Sequence, residues 1–172
     1  MKNQLLAIAL LIFCGSFTTT FAQTPGLEIG NKASEISLPD LNGKEIALSS
    51  LKGKLVLIDF WATWCSPCVE EQTELARLYR KFKNAGFSDG KGFEIYGVSL
   101  DAKKNNWENF VKTKKINWIQ VSDLKFWKSP VAKTYNIQEL PYNILIDGNG
   151  IILAKNLHGR DLEKAIAGYL VK

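Results

Sequence analysis

An apolar, strand-forming run from Leu55 to Trp61 passes through Ala62, Thr63 and Trp64 into two cysteines, Cys65 and Cys68, separated by Ser66 and Pro67. Beyond them Leu75, Leu78, Tyr79 and Phe82 recur at i, i+3, i+4, i+7, the spacing of one buried helical face. A buried strand therefore hands a cysteine pair to a helix N-terminus. The free N–H groups and the positive end of the macrodipole at that point stabilise an anion. A thiolate at Cys65 gains from both, so its pKa should fall below that of an ordinary thiol. Pro67 sits in the first turn, where a helix tolerates proline.

The segment before this core reads differently. Lys2 precedes an apolar run from Leu5 to Phe13, then Gly15, Ser16, a Thr-rich tract and Thr20-Phe21-Ala22. That is a charged region, an apolar region and a small-x-small cleavage site, so residues 1–22 are expected to be a signal peptide cut after Ala22. The apolar run is short for a membrane span, which leaves an uncleaved anchor as the alternative. Residues 23–172 are expected to form one domain. The 46% hydrophobic and 23% charged residues of the full sequence are ordinary for a globular chain with a sizeable core.

Cysteine use narrows the chemistry. Cys14 lies in the leader, and Phe13 before it is not the small residue a lipid-acceptor site needs. The mature chain keeps Cys65 and Cys68, too close together to brace a fold because the loop they close is tiny. A structural zinc site needs four ligands, and only the distant His158 could join the two cysteines. A c-type haem site needs histidine straight after the second cysteine, where Val69 stands. An iron–sulfur cluster needs more thiolates. No metal or cofactor is expected. What remains is reversible dithiol–disulfide exchange, in which Cys65 attacks and Cys68, one turn deeper, resolves the mixed disulfide.

The net charge of +5 is a mild excess, and Lys2 leaves with the leader. Lysines 103, 104, 112, 114, 115, 125 and 128 interleave with Trp107, Phe110, Trp118, Phe126 and Trp127. Basic residues among aromatics can signal nucleic acid. A solvated lysine face on an amphipathic helix explains them better, and an exported chain does not meet nucleic acid.

The rest of the chain reads as α/β. Glu35 to Leu48 is a hairpin turning at Asn42-Gly43, with Pro39 favouring an edge strand. Ser49 is placed to cap a short turn before Gly53. Asn84 to Gly92 reads as a loop, Phe93 to Leu100 as a strand, Asp101 to Lys115 as a helix, and Trp118 to Val121 as a strand. Ser129-Pro130 opens a short helix to Tyr135, and Tyr142 to Ile146 and Ile151 to Ala154 flank an Asp147-Gly148-Asn149-Gly150 turn. Arg160 to Val171 closes the chain as a helix with Leu162, Ala165, Ile166, Tyr169 and Leu170 on one face. This order gives a mixed sheet covered by helices. Trp61, Trp107, Trp118 and Trp127 are expected in the core, and His158 at the surface or in packing.

DFWATWCSPC, a strand leading into W-C-x-P-C and a helix, resembles the active site of the thioredoxin superfamily. The leader, the hairpin and the helical insertion after Ser99-Leu100-Asp101 are similar to the TlpA/ResA-like extracytoplasmic thiol–disulfide oxidoreductases. The resemblance implies a thioredoxin-like fold with an N-terminal β-hairpin extension and a helical insertion before a cis-proline. It implies that Cys65 is the nucleophile, Cys68 the resolving cysteine and Pro141 the cis-proline, with Leu140 before it tuning partner fit. It also implies that Trp64 and Pro67 contact substrate. Asp59, a carboxylate amid apolar residues, would have its pKa raised by burial, which suits a proton acceptor for the deeper thiol; it matches the buried acid of thioredoxin. Glu71, one turn after Cys68, matches an active-site glutamate of ResA-like members or is an ordinary first-turn acid favoured by the dipole. The partners so implied are disulfide- or dithiol-bearing envelope proteins, apocytochromes c among them, and an upstream membrane thiol donor. The expected location is the periplasm, with no stable membrane insertion after cleavage. Two other readings stay open, a peroxiredoxin-like thiol peroxidase and a non-catalytic binding module of the same fold.

Overall fold

The computed structural model describes residues 26–171, so the expected leader and Cys14 lie outside the described residues. The first strands of the described residues form an antiparallel hairpin, β1 (Ser37–Pro39) and β2 (Glu45–Ala47). Its turn is held by Asp40, whose Oδ1 accepts from the backbone N–H of Asn42 at 2.8 Å and of Lys44 at 2.9 Å. Gly43 takes φ +80, a conformation that favours glycine. A 3-10 turn follows over Leu48–Leu51. The cap position is Ala47 rather than Ser49, and no side chain serves it.

The central sheet has the order β7-β6-β3-β8-β9. Strand β3 (Leu55–Trp61) is wholly buried, runs parallel to β6 (Phe93–Ser99) and antiparallel to β8 (Tyr142–Ile146). Strand β7 (Ile119–Val121) extends the parallel side, and β9 (Ile152–Lys155) the antiparallel side. A middle strand flanked on both edges and covered on both faces explains a run that is apolar at every position but Asp59. The loop expected at Asn84 to Gly92 instead pairs with itself as β4 (Gly86–Phe87) and β5 (Gly90–Lys91). Phe87 is drawn into the core there, a burial that a local glycine count does not reveal.

Helices α1 (Ser66–Phe82), α2 (Lys104–Thr113), α3 (Pro130–Thr134) and α4 (Gly159–Gly168) cover the sheet. Alternate residues of β3 face two different cores. Val56, Ile58 and Phe60 join the hairpin, the 3-10 turn and Tyr135 on one side. Leu55 and Leu57 meet Leu75, Leu78 and Phe82 of α1 and Leu162 and Ile166 of α4 on the other. Fully burying each such side chain contributes roughly 2 kcal/mol, so α1 is fixed firmly on the strand that leads into it. Arg77 binds Glu74 and Glu163, and Lys81 binds Glu163 at 2.7 Å, joining α1 to α4 at the exposed rim. Leu170, expected on the buried face of α4, lies beyond the helix end and is exposed.

Candidate active site

The C-terminal edge of β3 carries the cysteine pair to the surface of the sheet. Cys65 is the N-cap of α1, in extended backbone, and its Sγ accepts from the Cys68 N–H at 3.2 Å. This is the cap geometry that the strand-to-helix pattern implied, with sulfur in the place a hydroxyl or carboxylate oxygen usually takes. Pro67 lies within the first two helical positions and is exposed. Cys65 and Cys68 are joined, with an S–S distance of 2.01 Å. Cys65 keeps 6% exposure and Cys68 1%, so the outer sulfur sits at a rim and is less open than a bare helix end would make it. Trp61, Ala62, Trp107 and Val111 pack round the pair, with Leu140 and Leu124 against the same cluster.

The approach to the pair is fixed by a residue that sequence reasoning left unassigned. Asp101, just past β6, accepts from the Thr63 N–H at 3.0 Å, the Thr63 hydroxyl at 2.6 Å and the Ser99 hydroxyl at 2.8 Å. It is buried. Its signal in the sequence was its place at the end of a buried strand, but its partner lies 38 residues away. The Trp61 indole donates to Gln120 Oε1 at 3.0 Å on β7, as a core position permits.

Asp59 lies on the α1 side of β3, two residues before Trp61, and is 2% exposed. Burial pushes its carboxyl up to about 7; the negative charge of Glu71 adds to this and the Gln72 amide works against it. Asp59 Oδ2 has no hydrogen-bond partner among the described residues. A carboxyl so placed takes up or releases a proton near neutral pH.

Glu71 lies in the second turn of α1 rather than the first, because the helix starts at Ser66. The reading of it as a first-turn acid therefore does not hold. Its Oε1 meets His158 Nδ1 at 2.8 Å, and His158 Nε2 lies 2.9 Å from Asn156 Oδ1. His158, the N-cap residue of α4, is thus at the surface as expected, yet it is tied to a group whose charge reaches Asp59.

The Leu140–Pro141 peptide bond is cis, at the entry to β8. Leu140 packs against the cysteine cluster, so the two residues that the resemblance singled out sit at the end of the sheet that holds the disulfide. Trp64 is exposed beside Cys65. Trp127 corrects the expectation of burial: it is exposed and packs against Trp64 with ring centroids 6.0 Å apart. Phe126 also meets Trp64, at 5.1 Å. A cleft of about 170 Å³ lies at the other end of β3, lined by residues such as Leu48, Val56 and Asp147.

Residues 29–155 match the AhpC/TSA family. The chain is 37% identical over 186 residues to a thiol–disulfide oxidoreductase ResA of Bacillus cereus, covering 99% of this chain and 97% of that protein. It is 33% identical over 167 residues to the Bacillus subtilis ResA, covering 95% and 88%. Among solved structures it is similar to the thioredoxin domain of a thiol–disulfide oxidoreductase from Bacteroides vulgatus. That pair is 36% identical with a TM-score of 0.76, covering 85% of this chain and all of that one.

Proposed function

Since this chain belongs to the AhpC/TSA family and is a ResA-like thiol–disulfide oxidoreductase, we propose that it works as a reductant of protein disulfides outside the cytoplasm, through Cys65 and Cys68. The observation that carries the assignment of roles is the cap: Cys65 Sγ already accepts a helix N–H, so the same site favours a thiolate when the pair is reduced.

In this mechanism the reduced Cys65 gives its proton to solvent and attacks one sulfur of the partner's disulfide. A Cys65–partner disulfide forms, and the partner's other sulfur leaves as a thiolate that takes up a proton. Cys68 then gives its proton to Asp59 and attacks Cys65 Sγ. The partner's second sulfur departs as a thiolate and is protonated in turn. Two electrons pass to the partner, and the protein ends with the Cys65–Cys68 disulfide. The second step is intramolecular, which makes it fast. Burial, with the Glu71 charge adding to it, sets the Asp59 carboxyl to titrate near neutral pH, and Leu140, Pro141, Trp64 and Pro67 receive the partner's backbone. An upstream thiol donor at the membrane restores the dithiol.

Export rests on the reading of residues 1–22 as a signal peptide, with residues 23–172 as the working domain. No helix among the described residues is long and apolar enough to cross a membrane. Disulfide-bearing envelope proteins, apocytochromes c included, are the partners that the resemblance supports.

The test is turnover of a disulfide-bearing polypeptide by the reduced protein. Cys65→Ser should abolish it, and Cys68→Ser should accumulate a mixed disulfide through Cys65. Undiminished turnover by Cys65→Ser would remove the proposal. Faster oxidation by peroxide than by disulfides would favour the thiol peroxidase instead. A reduction potential well below about −200 mV supports the reductant direction, and one near about −120 mV reverses it.

A further inference from the structure

Three aromatic rings stand open to solvent beside Cys65. Trp64, Phe126 and Trp127 keep 46%, 41% and 39% exposure. They touch one another: Trp64 lies 5.1 Å from Phe126 and 6.0 Å from Trp127, and Phe126 lies 6.0 Å from Trp127. Scattered apolar residues on a surface need no account, but a contiguous aromatic group at a reacting centre does.

The backbone that presents two of these rings is held at a cost. Phe126 has φ +56 and Leu124 has φ +57, the left-handed region that bulky side chains rarely adopt. Side chains and turns fix the segment from both ends. The Leu124 N–H donates to the Ser122 hydroxyl, which itself donates to the Ser99 carbonyl. The Lys125 N–H donates to Asp123 Oδ1, and the Lys128 and Ser129 N–H groups close a 3-10 turn on Lys125 and Phe126. The result turns Leu124 inward against the cysteine cluster and Phe126 outward against Trp64. Glycine would suit both backbone positions better, and a core need explains only Leu124.

The surroundings indicate what lies on the rings. The exposed Lys125 and Lys128 bracket Phe126 and Trp127 in sequence, and with the exposed Lys133 they outnumber the nearby acids, Asp123, whose Oδ1 accepts the Lys125 N–H, and Glu139. An open groove of about 450 Å³ runs from Trp127 past Ala132, Lys133, Asn136, Ile137 and Gln138. Gln138 is followed by the exposed Glu139 and then by Leu140 and Pro141, which the partner's backbone must approach to reach Cys65. Trp64, next to Cys65 in the chain, joins the ring group to the site of exchange.

Resting on the exchange reading above, we infer that Trp64, Phe126 and Trp127 form a shelf that receives the partner polypeptide. The shelf selects an extended stretch with an aromatic or large aliphatic side chain beside its reacting cysteine and carboxylates on its flanks. The rings supply the apolar contact, and Lys125, Lys128 and Lys133 supply the charge match.

The experiment measures rate constants of the reduced full chain with three synthetic peptides, each closed by one disulfide. The first has tryptophan beside the cysteine and glutamates on the flanks. The second replaces the tryptophan by glycine, and the third replaces the glutamates by lysines. The first should react about tenfold faster than the second, the scale of one good aromatic contact. It should also outpace the third, by a margin that salt erodes. Phe126→Gly, whose backbone suits that position, should bring the first ratio down to about twofold. The double variant Lys125→Glu, Lys128→Glu should reverse the second preference. Equal rates with all three peptides, or ratios that Phe126→Gly leaves untouched, overturn the shelf while leaving exchange intact. A parent chain that reacts with no peptide overturns the exchange reading and the shelf with it.

Discussion

Replacing Asp59 by asparagine removes a buried titrating group from β3 with little change of shape. In the folded chain its carboxyl is pushed from 3.8 up to about 7, first by burial and then by the Glu71 charge. An acid whose pKa is raised on folding is more protonated folded than unfolded between those values. Stability is therefore lost as pH rises through that window. The penalty is absent below about pH 4 and complete above about pH 7, because the unfolded carboxyl ionises near its ordinary value. Three pKa steps at 1.36 kcal/mol each make about 4 kcal/mol at most, and water reaching the ionised group lowers this. The assay is urea unfolding of the oxidised protein, parent and Asp59→Asn, followed by tryptophan fluorescence from about pH 4 to about pH 8. The variant should gain on the parent steadily across that range, by about 2–4 kcal/mol in all, since an asparagine side chain carries no charge at any pH. Taking the difference between the two proteins cancels the titrating groups that do not interact with Asp59. A difference that stays flat within about 0.5 kcal/mol would refute the reasoning, because a carboxyl that ionises normally contributes no such slope. The same variant should remove the neutral-pH inflection from the resolving step, in which Cys68 gives up its proton.

Asp101→Ala leaves the Thr63 N–H and the Thr63 and Ser99 hydroxyls without their acceptor, and should cost about 3 kcal/mol in urea unfolding. Asp101→Asn, which keeps one acceptor oxygen, should cost clearly less. Gly97→Ala places a Cβ 2.3 Å from Gln120 Nε2 and 2.9 Å from Oε1, the atom that accepts from the Trp61 indole. It should cost roughly 2 kcal/mol by overpacking. Adding Gln120→Ser should recover much of that loss, and additive costs in the double-mutant cycle would contradict the proposed clash.

What the sequence determined by itself was local. The length of the run Leu55 to Trp61, apolar but for Asp59, the helical spacing of Leu75, Leu78 and Phe82, and the proline and cysteines between them specify strand, cap and helix. Each depends on residues a few positions apart, which steric propensity and burial periodicity govern directly. The same holds for the Asn42-Gly43 hairpin and the closing β8–β9 pair. Tertiary structure decided what needed a distant segment to return. It set Thr63 on Asp101, Glu71 on His158 87 residues away, and Trp64 on Phe126 and Trp127. It buried Phe87 in a stretch that reads as a loop and exposed Trp127 in one that reads as core. Hydrophobicity states how strongly a side chain avoids water, but the packing of other segments decides whether any cover is available. Asp59 shows both parts: its place on β3 was legible, while the depth that lifts its pKa comes from the helix and sheet closed over it.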